Sequence, residues 1–146
     1  PIKGHADGVL VWEGRKILLE IKSCSDDVFV NRLKFKKPKE EHFAQANIYA
    51  WVLGLDTIWV VYENKNTQEV KFFEVPANKE AAEKIVESWR LQYKVFKDGE
   101  LPKRPYKPGS PTCAGCDLKT HCMADPEVGV DLKEYAREIE REEVDA

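Results

Sequence analysis

Residues 4–22 read Gly4-His5-Ala6-Asp7-Gly8-Val9-Leu10-Val11-Trp12-Glu13-Gly14-Arg15-Lys16-Ile17-Leu18-Leu19-Glu20-Ile21-Lys22. The pattern predicts a strand ending at Trp12, a turn at Glu13-Gly14 and a returning strand from Arg15 to Lys22. With a two-residue turn, Asp7 falls opposite Glu20 and His5 opposite Lys22. Strand alternation then places Glu20 and Lys22 on one face and turns Ile21 to the other. A bulge at Gly14 would shift this register but would leave the acids and the lysine grouped at one end of the hairpin.

Two carboxylates facing each other across a strand pair repel unless a cation lies between them. Oxygen donors favour a hard ion such as Mg²⁺ or Mn²⁺, which polarises a phosphodiester and lowers the pKa of an attacking water. Lys22 is then placed to orient that water or to offset charge in the transition state. The rival reading is a solvated strand pair whose charges serve solubility. The apolar runs Val9-Leu10-Val11 and Ile17-Leu18-Leu19 weigh against it, because a charged pair among them must justify its desolvation.

A helix is expected over residues 38–53, where Gln45 and Tyr49 share one face at a spacing of four residues. An amide and a phenol on that face can reach a nucleotide or a metal-bound water. In this order and spacing, Gly4-His5-Ala6-Asp7, Glu20-Ile21-Lys22 and Gln45-Ala46-Asn47-Ile48-Tyr49 resemble the PD-(D/E)XK nuclease superfamily, within it the RecB-like branch of CRISPR-associated and phage recombination exonucleases. The resemblance runs from about residue 4 to residue 75 and implies an α/β, restriction-endonuclease-like core, a mixed central sheet flanked by helices. It implies Asp7, Glu20 and the Ile21 backbone carbonyl as metal ligands, Lys22 as catalytic, and Gln45 and Tyr49 as supporting catalytic residues. Helices that usually precede the Asp motif in this family, and supply a further metal ligand, are expected to be absent from this chain. The family's upstream histidine role is not transferred to His5, which stands inside the Asp motif and either touches the metal site or is an ordinary surface histidine.

The composition, 146 residues at 42% hydrophobic and 10% aromatic, is that of one globular core. Apolar stretches are of strand length, so no membrane span is expected, and no signal peptide is apparent. A cytoplasmic setting, in a bacterium, an archaeon or an infected host, makes the four cysteines ligands or free thiols rather than disulfides. The net charge of −3 is uneven, with seven acids and three bases in residues 131–146 and a nearly neutral remainder. Arg32, Lys34, Lys36, Lys37 and Lys39 surround Phe35 within eight residues, suited to phosphates and to stacking on an unpaired base. Residues 23–37 are read as a long DNA-contacting loop beside the active site, with a solvated lysine-rich loop as the alternative.

Strands are expected over 56–63 and 69–75, followed by an Asn78-capped helix over 79–97. Ala82, Ile85, Val86, Trp89, Tyr93 and Phe96 should pack that helix on the sheet, and all four tryptophans (Trp12, Trp51, Trp59, Trp89) belong to the core. Four prolines in residues 102–111 connect to Cys113, Cys116 and Cys122, a spacing that can encircle one metal. The family resemblance implies a [4Fe–4S] cluster held by such a trio and a fourth cysteine; here Cys24 or, for Zn²⁺, His121 are the candidates, and a lost site is the third option. Three parts result: a nuclease core at 1–100, a connector with the cysteine segment at 101–128, and a charged helix at 129–146 carrying Leu132, Tyr135, Ala136 and Ile139 on one stripe.

The function expected is metal-dependent DNA hydrolysis, an exonuclease by resemblance, in recombination, repair or phage DNA processing. An endonuclease of the same fold, a non-catalytic DNA-binding module, and a redox or zinc-binding protein centred on the cysteines are the alternatives. The partner is DNA, with a second copy of the chain or a recombination or helicase protein as further candidates.

Overall fold

The Glu13-Gly14 turn folds back because both residues take left-handed backbone angles, φ 48° and 74°. Two such residues are what a tight hairpin needs to match the twist of its strands. The computed structural model describes residues 3–107, 109–124 and 129–144. The elements in chain order are β1 (Gly8–Trp12), β2 (Arg15–Cys24), α1 (Asp26–Lys34), α2 (Glu40–Leu53), β3 (Thr57–Asn64), β4 (Val70–Pro76), α3 (Lys79–Lys97), α4 (Pro111–Ala114), α5 (Lys119–Ala124) and α6 (Leu132–Val144). The chain is α/β, and its four-stranded mixed sheet is ordered β1-β2-β3-β4. β1–β2 and β3–β4 pair antiparallel, whereas β2–β3 is parallel across the α1–α2 crossover. Gly8 pairs with Leu19 and Trp12 with Arg15, the register that the two-residue turn predicts.

One sheet face carries Leu18, Ile58, Val60, Tyr62 and Phe73 into a buried core with Phe29 of α1 and Ala46 and Ala50 of α2. Small residues four apart let α2 lie close on the strands. Its other side buries Ile48 and Trp51 against Ala82, Ile85 and Val86 of α3. A helix buried on two sides is apolar most of the way round, as α2 is. The first turns of α3 therefore pack on α2 rather than on the sheet. Further along, Trp89, Tyr93 and Phe96 are exposed while Val95 is buried, so the expected single stripe does not run the length of the helix.

On the opposite sheet face, Trp59 packs against Trp12 and Phe72 with ring centroids 6.0 and 4.8 Å away. Trp12, Ile21 and Phe72 nevertheless stay about half exposed, so the assignment of all four tryptophans to the core fails for Trp12 and Trp89. Trp59 donates its indole N–H to Glu74 Oε2 at 2.7 Å, and Arg15 bonds the other oxygen at 3.2 Å. These two bonds hold the Glu74 carboxyl below its ordinary range, the indole bond contributing most.

Residues 23–37 are not a loop. Most of the segment is helix α1, whose start is tied to the β3–β4 turn: Asn64 Nδ2 donates to Asp26 Oδ1 at 2.7 Å, and the Asp26 N–H donates to Asn66 Oδ1 at 3.1 Å. Asn64 is fully buried, and its amide is satisfied by that first bond and by the Asn66 and Thr67 N–H groups, which its Oδ1 accepts at 3.0 and 3.4 Å. At α3, the Asn78 side chain caps the Ala81 N–H at 3.0 Å, as its position predicts.

By internal contacts the chain divides into Pro1–Val86 and Glu87–Ala146. Within the second unit, Lys103 N–H donates to the Val130 carbonyl at 2.9 Å, and Tyr135 OH bonds Asp98. α6 turns Leu132, Tyr135, Ala136 and Ile139 to its less exposed side. No helix among the described residues is long and apolar enough to cross a membrane.

Candidate active site

The β1–β2 ladder ends at Gly8 and Leu19, so Ile21, two residues further along β2, has no partner on β1. Asp7 takes its place: the Ile21 N–H donates to Asp7 Oδ2 at 2.6 Å. A residue in a strand turns its N–H and C=O to the same edge, so the Ile21 carbonyl lies on the edge that Asp7 flanks. Glu20 projects to the core face and is 2% exposed. Its Oε1 lies 2.5 Å from Lys22 Nζ, while its Oε2 is buried with no hydrogen-bond partner. Lys22 Nζ also donates to Gln45 Oε1 at 2.9 Å, and Gln45 Nε2 donates to Tyr49 OH at 3.2 Å. β2 and α2 thus bring Glu20, Lys22, Gln45 and Tyr49 into one chain of contacts, while Asp7, in the segment that leads into β1, is held on the Ile21 N–H beyond the end of the ladder rather than paired with Glu20 within it.

His5 is exposed and lies beyond the end of the ladder, so it is not a strand partner of Lys22. One residue earlier, Gly4 sits so close to the Tyr49 ring that a Cβ there would come within 2.7 Å of Cε1.

His42 belongs to this face of α2 and was not singled out from the sequence. It lies one turn before Gln45, the spacing that would have found it. Its Nδ1 is 2.8 Å from Tyr62 OH, and that hydroxyl accepts the Lys39 backbone N–H at 3.0 Å. Tyr62 is the register partner of Lys22 on β3 and is fully buried. Burial pushes the His42 pKa below its usual value; nearby Lys22, Lys39 and Arg32 push the same way, while Glu41 opposes them. Burial likewise raises that of Tyr62, against the Lys39 N–H bond. Both groups are therefore neutral at neutral pH.

Among the basic residues, Arg32 and Lys34 lie on α1, Phe35 caps it, Lys36 and Lys37 follow, and Lys39 precedes α2. The Arg32 guanidinium stacks 4.8 Å from the Phe35 ring centre, and Phe35 is half exposed. A cavity of about 560 Å³ opens nearby between Pro38, Phe43, Val75 and Ala77, with Lys37 and Lys79 beside it. No residue of the Asp7–Glu20–Lys22 group lines it, so this cavity and the acid–lysine group are separate features.

Cys24 ends β2 on the core side, and Cys113, Cys116 and Cys122 lie on and between α4 and α5. Arg104 Nη1 donates to the Cys122 carbonyl at 2.9 Å. No group of three or more His, Cys, Asp or Glu side chains among the described residues is arranged to hold an ion.

No protein-family model matches the sequence. No curated protein matches it either. Among solved structures, the crystal structure of SSO0001 is similar at 20% identity and a TM-score of 0.41, over 64% of this chain and 48% of that one. The chain thus spans about half the length of that protein.

Proposed function

We propose that this chain carries the active site of a divalent-metal-dependent DNA nuclease on a restriction-endonuclease-like core, of the PD-(D/E)XK type and its RecB-like branch. The observation that carries the reading is Glu20: a buried carboxylate with one oxygen on Lys22 and the other without a hydrogen-bond partner, next in sequence to Ile21, whose N–H holds a second carboxylate, Asp7. A buried unpaired carboxylate oxygen is costly unless a cation completes it. Oxygen-only donors suit Mg²⁺ or Mn²⁺, and Asp7, Glu20 and the Ile21 carbonyl are the residues that would hold the ion. When bound, such an ion polarises a phosphodiester and makes water a stronger nucleophile.

The remaining chemistry belongs to the side chains. Lys22, held between Glu20 and Gln45, presents an ammonium to the negative charge that develops on the phosphoryl oxygens. Gln45, held in turn by Tyr49, sets the direction of that ammonium. Arg32, Lys34, Lys36, Lys37 and Lys39 supply the phosphate contacts that retain DNA, and exposed Phe35 offers a face for a base. The resemblance favours exonuclease action. It also implies a [4Fe–4S] cluster at Cys113, Cys116 and Cys122 with a fourth cysteine such as Cys24, and the alternative is a Zn²⁺ site completed by His121; no step of hydrolysis is assigned to either.

Asp7→Ala, Glu20→Ala and Lys22→Ala should each lower Mg²⁺- or Mn²⁺-dependent DNA degradation by about 10³-fold or more while DNA binding persists. Linear DNA should be consumed and covalently closed circles spared, and cutting of circles would assign an endonuclease instead. Undiminished cleavage by all three variants overturns the assignment; DNA binding without cleavage by the wild-type chain points to a binding module.

A further inference from the structure

His42 is hydrogen-bonded to Tyr62, a tyrosine that never reaches solvent and that pairs with Lys22 across β2 and β3. The Tyr62 hydroxyl has a single proton to give. Its oxygen already accepts the Lys39 N–H, so the arrangement is completed when the proton goes to His42 Nδ1. That requires a neutral ring protonated on Nε2. The bond joins the first turns of α2 to β3 at the residue paired with Lys22 on β2. One turn further along α2, Gln45 Oε1 meets Lys22 Nζ, and one turn beyond that Tyr49 meets Gln45. His42, Gln45 and Tyr49 therefore form one stripe lying over the two strands that carry Lys22 and Tyr62.

A structural role alone would be to satisfy a buried phenol. The placement implies more, because the same bond pins the α2 face that carries Gln45 to β3, beside the strand that carries Lys22. Burial favours the uncharged ring, and the neighbouring cations Lys22, Lys39 and Arg32 act the same way against Glu41. We propose that His42 is a positioning residue of the hydrolytic site: as a neutral hydrogen-bond acceptor for Tyr62 it locks α2 on the sheet so that Gln45 holds the Lys22 ammonium in its working direction. This rests on the nuclease reading above.

The test compares wild type with His42→Ala, His42→Asn, Tyr62→Phe and the Ala/Phe double variant, in Mg²⁺- or Mn²⁺-dependent hydrolysis of a defined DNA. His42→Ala and Tyr62→Phe should each lower kcat by about tenfold with KM changed less than about twofold, because orientation is lost while binding is kept. The double variant should be no worse than either single one, since both remove the same bond. Asn carries an acceptor oxygen close to the place of Nδ1, so His42→Asn should recover most of the activity even if the Ala variant folds poorly. Wild-type kcat in the Ala variant, or an Asn variant that is folded and as slow as Ala, overturns the proposal.

A wild-type chain inactive with every divalent ion fails the nuclease reading itself, and nitrogen-15 NMR then decides the positioning. His42 Nδ1 should resonate as a hydrogen-bonded acceptor, and the Gln45 side-chain amide signals should move in His42→Ala and return in His42→Asn. Gln45 signals unmoved by His42→Ala overturn the positioning.

Discussion

Gly4 illustrates a residue whose identity is dictated by a neighbour 45 positions away. A methyl group at Gly4 would meet Tyr49 Cε1 at 2.7 Å and its hydroxyl at 2.8 Å, too close for any relaxed contact. Gly4→Ala should push the ring aside and weaken the Gln45–Tyr49 bond, costing about 1–2 kcal/mol of stability and about tenfold in kcat. Thermal melting and steady-state hydrolysis check this together; a variant with unchanged turnover would show that Tyr49 does not support the site. His42 makes a second residue-scale prediction. Its folded-state pKa is depressed, so the unfolded chain takes up that proton first. Its contribution to stability is whole above the unfolded value of about 6.5 and is lost as pH falls through the folded value. Urea midpoints should therefore drop more steeply from pH 7 to pH 5 for wild type than for His42→Asn, and parallel pH profiles would reject the depressed pKa.

At the scale of elements, α2 is the connecting piece. It lies on the sheet through Ala46 and Ala50, on α3 through Ile48 and Trp51, and over the acid–lysine group through His42, Gln45 and Tyr49. Asn47 ties the second contact: its Nδ2 donates to the Asn78 carbonyl and its Oδ1 accepts the Asn78 N–H, both at 2.7 Å and with Asn47 1% exposed. Asn47→Ala strands two backbone groups in a partly buried joint and should destabilise the fold by about 2–4 kcal/mol, measured by denaturant unfolding. A loss within about 0.5 kcal/mol would show that water replaces the amide. The stripes of α2 were half legible in the sequence, because Gln45 and Tyr49 stand at helical spacing. Which other side of the helix meets α3 was not, because Ala, Ile and Trp are apolar whichever way they face.

For the molecule as a whole, charge is distributed unevenly. The segment from Arg32 to Lys39 carries five bases, and residues 131–146 carry seven acids against three bases. Lys34, Lys36 and Lys37 are exposed. Their reversal to Glu should weaken DNA binding at low salt by orders of magnitude and flatten the dependence of log affinity on log salt by about 2–3, since each phosphate contact contributes about 0.7–0.9 to that slope. Titrations across a salt series read it out, and an unchanged slope would move the DNA path away from this segment. That the basic stretch is largely helical was not legible: Ser23 to Lys37 lacks a clear apolar period, and α1 owes its place to Phe29 in the core and to the Asp26, Asn64 and Asn66 bonds, which join residues far apart in sequence.

The chain by itself determined the hairpin, its register from Gly8–Leu19 to the turn, and the face that Glu20 and Lys22 share, because a two-residue turn and strand alternation are local rules that act over a few residues; the expected pairs Asp7–Glu20 and His5–Lys22 lie beyond the end of the ladder. Local signals likewise located β3, β4, the cap at Asn78 and α3. Only the tertiary structure decided that α3 rests on α2, that Trp12 and Trp89 stay exposed, that Glu20 keeps a buried oxygen without a partner and that His42 reaches Tyr62. Each of these depends on how a helix is rotated and docked on a sheet. Packing between distant segments sets that rotation, and no spacing along the chain encodes it.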